Sequence, residues 1–211
     1  MSKLESIKSG ESSLVLWAPL FSTLYEGARL HPSHKSVEQV MAKLVLVGRA
    51  LGLSMERRTD GLRVQDAGQV LAAAKLIAAS RLHTLVGKLD QGTKLADADH
   101  KRICECHALL ESLLMQAGAK SGAALAAAYL HVHRRSLFPL MGPQARIGAK
   151  LLSESRGWET SGLSRVTRPG GFPAWLALYT NAQNYLADRM PGALDLLQVN
   201  EHLEQWAATG Y

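Results

Sequence analysis

The chain has little of what marks a secreted, membrane-spanning or cofactor-dependent protein. Its 211 residues include two cysteines, Cys104 and Cys106, and two residues apart on a helix they point to nearly opposite sides and are poorly placed to pair. That usage gives a reducing, cytoplasmic setting as the expectation. The uncharged stretches Ser12–Tyr25 and Ser121–His133 fall short of the roughly 18–20 apolar residues of a membrane helix, and no membrane partner is expected. No secretory leader is read either. Lys3 and Lys8 precede the apolar run Leu14–Leu20, yet Glu5 and Glu11 interrupt the basic region and no small-x-small cleavage site follows. Aromatics make up 6% of the chain and β-branched runs are scarce, while Leu and Ala abound, which favours helices over sheets. There is no Gly-x-Ser-x-Gly, Walker loop or dinucleotide fingerprint, and Pro169-Gly170-Gly171 is too isolated to cradle a phosphate. Neither catalytic residues nor cofactors are therefore expected.

What is present is helical period. Val37, Val40, Met41, Leu44, Val47 and Leu51 recur at three- and four-residue steps, which predicts a helix over 36–58 with Ser36 and Gln39 as its capping box. An earlier helix, about Leu14–Leu30, continues past Pro19 and stops at His31-Pro32. A third runs from about Asp66 to Leu85, with Ala67, Val70, Leu71, Ala74, Ile77 and Ala78 inward and Gly87 ending it. Asp97 is read as the cap of a fourth, with Ile103, His107, Leu110 and Leu114 as its stripe and its end near Gly118. The alanine-rich segment Ser121–His133 lets neighbouring backbones approach closely and belongs near the centre. Pro143 starts another helix, continuing through Ile147, Leu151 and Leu152. Gly157–Gly171 has no period and reads as a long loop. Pro173–Arg189 and Gly192–Ala208 complete an all-α, single-domain bundle of about eight helices.

Charge is distributed unevenly. Lys120–Arg168 holds Lys120, Arg134, Arg135, Arg146, Lys150, Arg156, Arg165 and Arg168 against Glu154 and Glu159, and thus the whole surplus of +6. Such a concentration describes a face that attracts a polyanion. Arg134, Arg135, Arg146, Lys150, Arg165 and Arg168 are the candidate phosphate contacts, with His131 on the same helical face as the arginine pair. The bland reading assigns Arg134 and Arg135 to a helix C-terminus and pairs Lys150 with Glu154 at i,i+4. Aromatic interleaving is thin, so phosphate contact is expected over base stacking.

Two further patterns carry chemistry elsewhere. His100-x3-Cys104-x-Cys106-His107 places His100, Cys104 and His107 within an arc of roughly 60° on a helix. No second ligand pair completes a zinc site, and His107 lies on the apolar stripe, so no metal is expected. Leu140-Met141-Gly142-Pro143-Gln144-Ala145, followed by Arg146 and Lys150, partly resembles the helix-hairpin-helix DNA-binding motif. Only one glycine of that motif is present, and Glu159-Thr160-Ser161-Gly162-Leu163 lacks the aspartate that its base-excision enzymes carry.

Val37-Glu38-Gln39-Val40-Met41-Ala42-Lys43-Leu44-Val45-Leu46-Val47-Gly48-Arg49 with Glu56-Arg57-Arg58, and Ala128-Tyr129-Leu130-His131-Val132-His133 through Leu137-Phe138-Pro139-Leu140, resemble a family of uncharacterised bacterial all-helical proteins. The resemblance implies a helical fold and no established activity. Where that family reads Ser-Lys this chain has Ala127-Ala128, and for its Asp-Ser-Arg it has Gly142-Pro143-Gln144. A site built on those polar residues would have lost its carboxylate and two cations. A buried Arg49 would need a partner, for which Glu26 and Asp188 are the candidates. The leading expectation is a non-enzymatic protein that binds nucleic acid through its phosphates. The alternatives are an interaction module, such as an immunity or regulatory subunit, docking an acidic protein partner, and a degenerate enzyme retaining His131. One measurement bears on the metal reading: protein purified without added metal is expected to carry no stoichiometric zinc, and zinc lost on His100→Ala would overturn it.

Overall fold

The Ser36 hydroxyl oxygen accepts the Gln39 N–H at 3.3 Å, closing the first turn of the helix the sequence marks most clearly. In the computed structural model, which describes residues 13–53, 55–59, 62–65, 67–90, 94–119, 122–158, 171–190 and 194–209, that helix is α2, Val37–Ala50. It follows α1, Ser13–Leu30, which contains Pro19. The expected extension to residue 58 does not occur. Gly52 takes a φ of 63° and the Leu53 N–H reaches back to the Gly48 carbonyl at 2.8 Å, a Schellman closure that ends the helix. The chain then forms a hairpin. β1, Glu56–Thr59, pairs antiparallel with β2, Leu62–Gln65, with Thr59 opposite Leu62 and Glu56 opposite Gln65.

Ser80 divides the third predicted helix. Its hydroxyl donates to the Ile77 carbonyl at 2.7 Å and accepts the Leu82 N–H at 3.1 Å, offering the backbone a local alternative to the helical ladder. The result is α3, Ala67–Ala79, and α4, Leu82–Gly87. Val70, Ala73, Ala74 and Ile77 face inward, whereas Ala67 and Leu71 are exposed. Asp99 caps α5, His100–Gln116, by accepting the Arg102 N–H at 3.2 Å. Asp97, the expected cap, lies in a 3-10 turn, Leu95–Asp97. The stripe of α5 is as read, with Ile103, His107, Leu110 and Leu114 all buried. Then come α6, Gly122–His133, α7, Pro143–Arg156, α8, Phe172–Ala187, and α9, Leu196–Thr209. Among the described residues the fold is thus all-helical apart from one hairpin, with nine α-helices. Most of the expected loop, 159–170, lies outside the described residues.

Two packing features organise the bundle. α6 is buried almost all round, with nine of its twelve residues inside, and α1, α2 and α5 pack on it. α7 lies against α9 through small residues. Ala145, Gly148, Ala149 and Leu152 are buried there, while Ile147, expected inward, is 48% exposed. A Cβ on Gly148 would stand 1.7 Å from the Leu203 carbonyl oxygen, closer than any atom can approach without the helices separating. Gly148→Ala therefore tests the contact by sign. Helix propensity alone favours alanine by about 1 kcal/mol, but overpacking at this backbone contact outweighs it. A net loss of about 1–3 kcal/mol is expected, read as a lower Tm; an unchanged or raised Tm would overturn this account.

Candidate functional site

Two arginines of the basic window, Arg134 and Arg135, follow the end of α6. Leu130 still accepts a helical bond from the Arg134 N–H at 2.8 Å, after which the backbone turns away and the two arginines part. Arg134 is half-buried. One guanidinium nitrogen donates to the His133 carbonyl at 2.9 Å and another to the Val86 carbonyl at 3.2 Å, tying together the C-terminal ends of α6 and α4, where the helix dipole favours a cation. Burial draws its pKa below the usual guanidinium value. Arg135 is exposed, with its guanidinium carbon 5.6 Å from the centre of the Tyr25 ring on α1, within cation–π range.

His131 does not share that surface. It is 1% exposed, and both ring nitrogens are engaged. The Phe138 carbonyl, 2.7 Å from Nδ1, can only accept, so Nδ1 carries the proton and Nε2 accepts from the Tyr25 hydroxyl, also at 2.7 Å. No nitrogen remains for a phosphate, which corrects the expectation for this residue. The Tyr25–His131–Phe138 chain has the outline of an activated nucleophile: hydroxyl, base and orienting group. Its energetics run the other way. Burial lowers His131 to about 4 and raises the Tyr25 phenol above its usual value, so the proton stays on oxygen.

Two hollows flank this chain of bonds. One is an open groove lined by Ser22, Glu26 and Arg29 of α1 and by His133 and Arg134. The other is a cavity of about 450 Å³ lined by Lys94, His131, Gln183, Asn184 and Asp195. Tyr25, Arg135 and Ser136 line both and form the wall between them. Arg29, whose guanidinium meets the Glu26 carboxylate at 2.6 Å, thus joins Arg134 and Arg135 in the groove. The signal for it was available as a cation in the last turn of the first helix.

Arg146 and Lys150 line neither hollow. Both sit on α7, where Arg146 is partly buried and Lys150 is exposed with its ammonium 3.7 Å from Glu154, the expected i,i+4 pair, of small energetic weight. Arg165 and Arg168 lie outside the described residues, as does Lys120. The basic window is thereby divided between the end of α6 and the face of α7.

A second polar cluster fills the other side of α6. His34 Nδ1 lies 3.0 Å from the Tyr129 hydroxyl, and its ring centre is 4.3 Å from that of His133. Lys43 donates to the His31 and Ser33 carbonyls at 3.0 and 2.7 Å, and burial lowers its pKa to about 8. Burial, with Lys43, His83 and Arg134 nearby, lowers His34 to about 3. The proposed metal residues have other partners. His107 Nε2 donates to the Ala123 carbonyl at 2.9 Å while the ring stacks on Phe172 at 3.7 Å, and His100 Nε2 lies 2.9 Å from the Leu95 carbonyl. His107 Nδ1 is 3.7 Å from Glu111, a charged pair only if the ring gains a second proton; burial opposes this by lowering His107 to about 4. Among the described residues no three His, Cys, Asp or Glu side chains are grouped to hold a metal ion. Arg49 is exposed, and Glu26 is paired with Arg29.

Comparison of the chain with protein-family models, with curated proteins and with solved structures finds no match. The resemblance to the bacterial helical family therefore rests on its two motif stretches.

The buried rings give the site a pH signature. His34, His107, His131 and His133 all have pKa values depressed chiefly by burial. Below about 6.5 the unfolded chain then binds protons that the folded chain does not, so stability is full above that pH and falls as the solution is acidified. Between pH 7 and pH 5 the urea midpoint should drop, each ring contributing on the order of 1–2 kcal/mol. A midpoint constant over that interval would contradict the assignment of neutral rings.

Proposed function

We propose that the protein binds nucleic acid non-enzymatically, through the phosphate backbone, along the groove between α1 and the segment that follows α6. The observation that carries this reading is the convergence of three arginines, Arg29, Arg134 and Arg135, on one open groove that, among the described residues, includes a single carboxylate, Glu26. Arg135 is the principal contact: it is exposed, and its stacking on Tyr25 holds the planar donor fork at the rim, where a phosphate can take two parallel hydrogen bonds. Arg134 adds field more than contact, because its nitrogens hold backbone carbonyls. Arg146 and Lys150 supply a second, weaker patch along α7.

The absence of a matched acid and base at the groove supports binding over catalysis. The imidazole nearest it that has a hydroxyl partner is the neutral His131, with a pKa near 4, far from the operating pH that general base catalysis favours. Recognition of this kind carries little base information, so affinity should vary little with sequence.

The test is salt-dependent anisotropy with fluorescent duplex DNA and single-stranded RNA. Wild type should bind at low salt with a steep slope of log affinity against log salt. Arg29→Glu with Arg135→Glu should weaken binding at least tenfold and flatten the slope by about 2 units, since each duplex phosphate contact contributes about 0.9. Arg146→Glu with Lys150→Glu should produce a smaller loss of the same kind. No affinity at low salt, or a groove variant that binds as well as wild type, would overturn the reading. Binding of an acidic polypeptide in place of nucleic acid would replace it with the protein-partner alternative.

A further inference from the structure

A third concavity, separate from the basic groove, has the opposite polarity. It is about 250 Å³, and its walls are apolar: Phe21 of α1, Leu51 and Leu53 beyond α2, Ala128 of α6, and Leu140, Met141 and Pro143 leading into α7. One end is polar and is built from successive turns of α9, where Asn200, Glu201 and Glu204 share a face at i, i+1 and i+4. In a chain of net charge +6 no lysine or arginine among the described residues lines this hollow.

The hydrogen bonds at that end leave carboxylate acceptors open, beside the second amide hydrogen of Asn200. Asn200 Nδ2 donates to Glu204 Oε1 at 2.7 Å, which fixes the amide and points its carbonyl the other way. That oxygen, Asn200 Oδ1, is buried and has no partner, a costly state. Glu204 retains its second oxygen and most of its lone pairs. The first turn of α7 lies close, since a Cβ on Gly142 would come within 3.6 Å of Glu204 Oε1. A helix N-terminus supplies only about half a positive charge, less than one ionised carboxylate, so the net field at the polar end is negative.

We propose that this cavity is a binding site for a small amphiphilic amine, with the ammonium against the Glu204 carboxylate and an aryl or alkyl body against Leu53, Leu140 and Met141. An ammonium has three donors and no acceptor, which matches an acceptor-rich end. The volume lies just below the usual range for drug-sized ligands, so the body is no larger than a single ring or a short chain. Glu204, partly buried, has its pKa raised chiefly by desolvation, and a neighbouring ammonium reverses that shift. The site is independent of the phosphate groove and stands or falls without it.

The experiment is calorimetric titration of the full chain with 2-phenylethylamine and hexylamine at pH 7.5, against 2-phenylethanol and hexanoate as neutral and anionic controls. Both amines should bind, the alcohol at least tenfold more weakly, and hexanoate not at all. Glu204→Gln keeps the shape and the Asn200 contact but removes the charge, and should weaken the amines tenfold or more while leaving the alcohol unchanged. Leu53→Trp, a change at a half-buried rim position, should block all three and keeps the test valid if the Glu204 variant fails to fold. Equal affinity for amine and alcohol, amine binding unaffected by both variants, or no amine binding by wild type would overturn the proposal.

Discussion

A helix with no solvent face sets the terms for this structure. In α6 the small side chains of Ala126, Ala127 and Ala128 are fully buried, which lets α1, α2 and α5 close on its backbone from several sides. Such a helix gains burial at every position and pays for it wherever it carries a polar group, because a buried hydroxyl or imidazole without a partner costs on the order of 1–3 kcal/mol. Tyr129 and His131 lie in the last turns of α6, so other segments must reach them. The loop before α2 contributes His34 to Tyr129, α1 contributes Tyr25 to His131, and the chain leaving α6 folds back so that the Phe138 carbonyl meets the other face of that ring. The position of α1 and the path of residues 134–138 follow from satisfying α6.

The groove and its charges are consequences of the same constraint. Once Tyr25 is held by His131, its ring provides a surface on which Arg135 stacks, and the segment that brings Phe138 inward carries Arg135 and Ser136 to the rim. Arg134, next in line after the buried turn, is drawn against the C-terminal ends of α6 and α4, where the helix dipole favours a cation. Neighbouring arginines of identical charge thus take different roles, and the difference is set by which of them the backbone leaves in water. His133 Nε2 is the one nitrogen of this turn, besides Arg134 Nε, that is buried without a partner.

How much of this was legible in the sequence depended on the range of the interaction involved. The start of α2 was readable because Ser36 and Gln39 bond within one turn, and α7 begins at Pro143 as read because proline fixes its own φ. The end of α2 depends on Gly52 entering the left-handed region, and hydrophobic period carries no information about that. The hairpin left a local sign that periodicity overlooked: the residues between the paired Thr59 and Leu62 are Asp60-Gly61, a dipeptide that two-residue hairpin connections favour. The site was less legible than the fold. The burial of His131 and the joining of Arg29 to Arg134 and Arg135 come from α1 packing on α6, residues about a hundred apart, and no spacing rule reaches that far.

The same physics separates what is inert in this molecule from what can act. Imidazoles and phenols near the concavities are desolvated, and desolvation holds each in its uncharged form: His34, His107 and His131 are lowered to about 3, 4 and 4, and the Tyr25 and Tyr129 phenols are raised. A pair whose acid is weakened and whose base is weakened exchanges no proton at neutral pH, so the buried polar groups here act as fasteners. Side chains of opposite sign stand at the rims of separate hollows, with Arg29 and Arg135 at one and Glu201 and Glu204 at another. The scaffold beneath them is fixed by neutral hydrogen bonds, and neither rim requires the buried network to change its protonation.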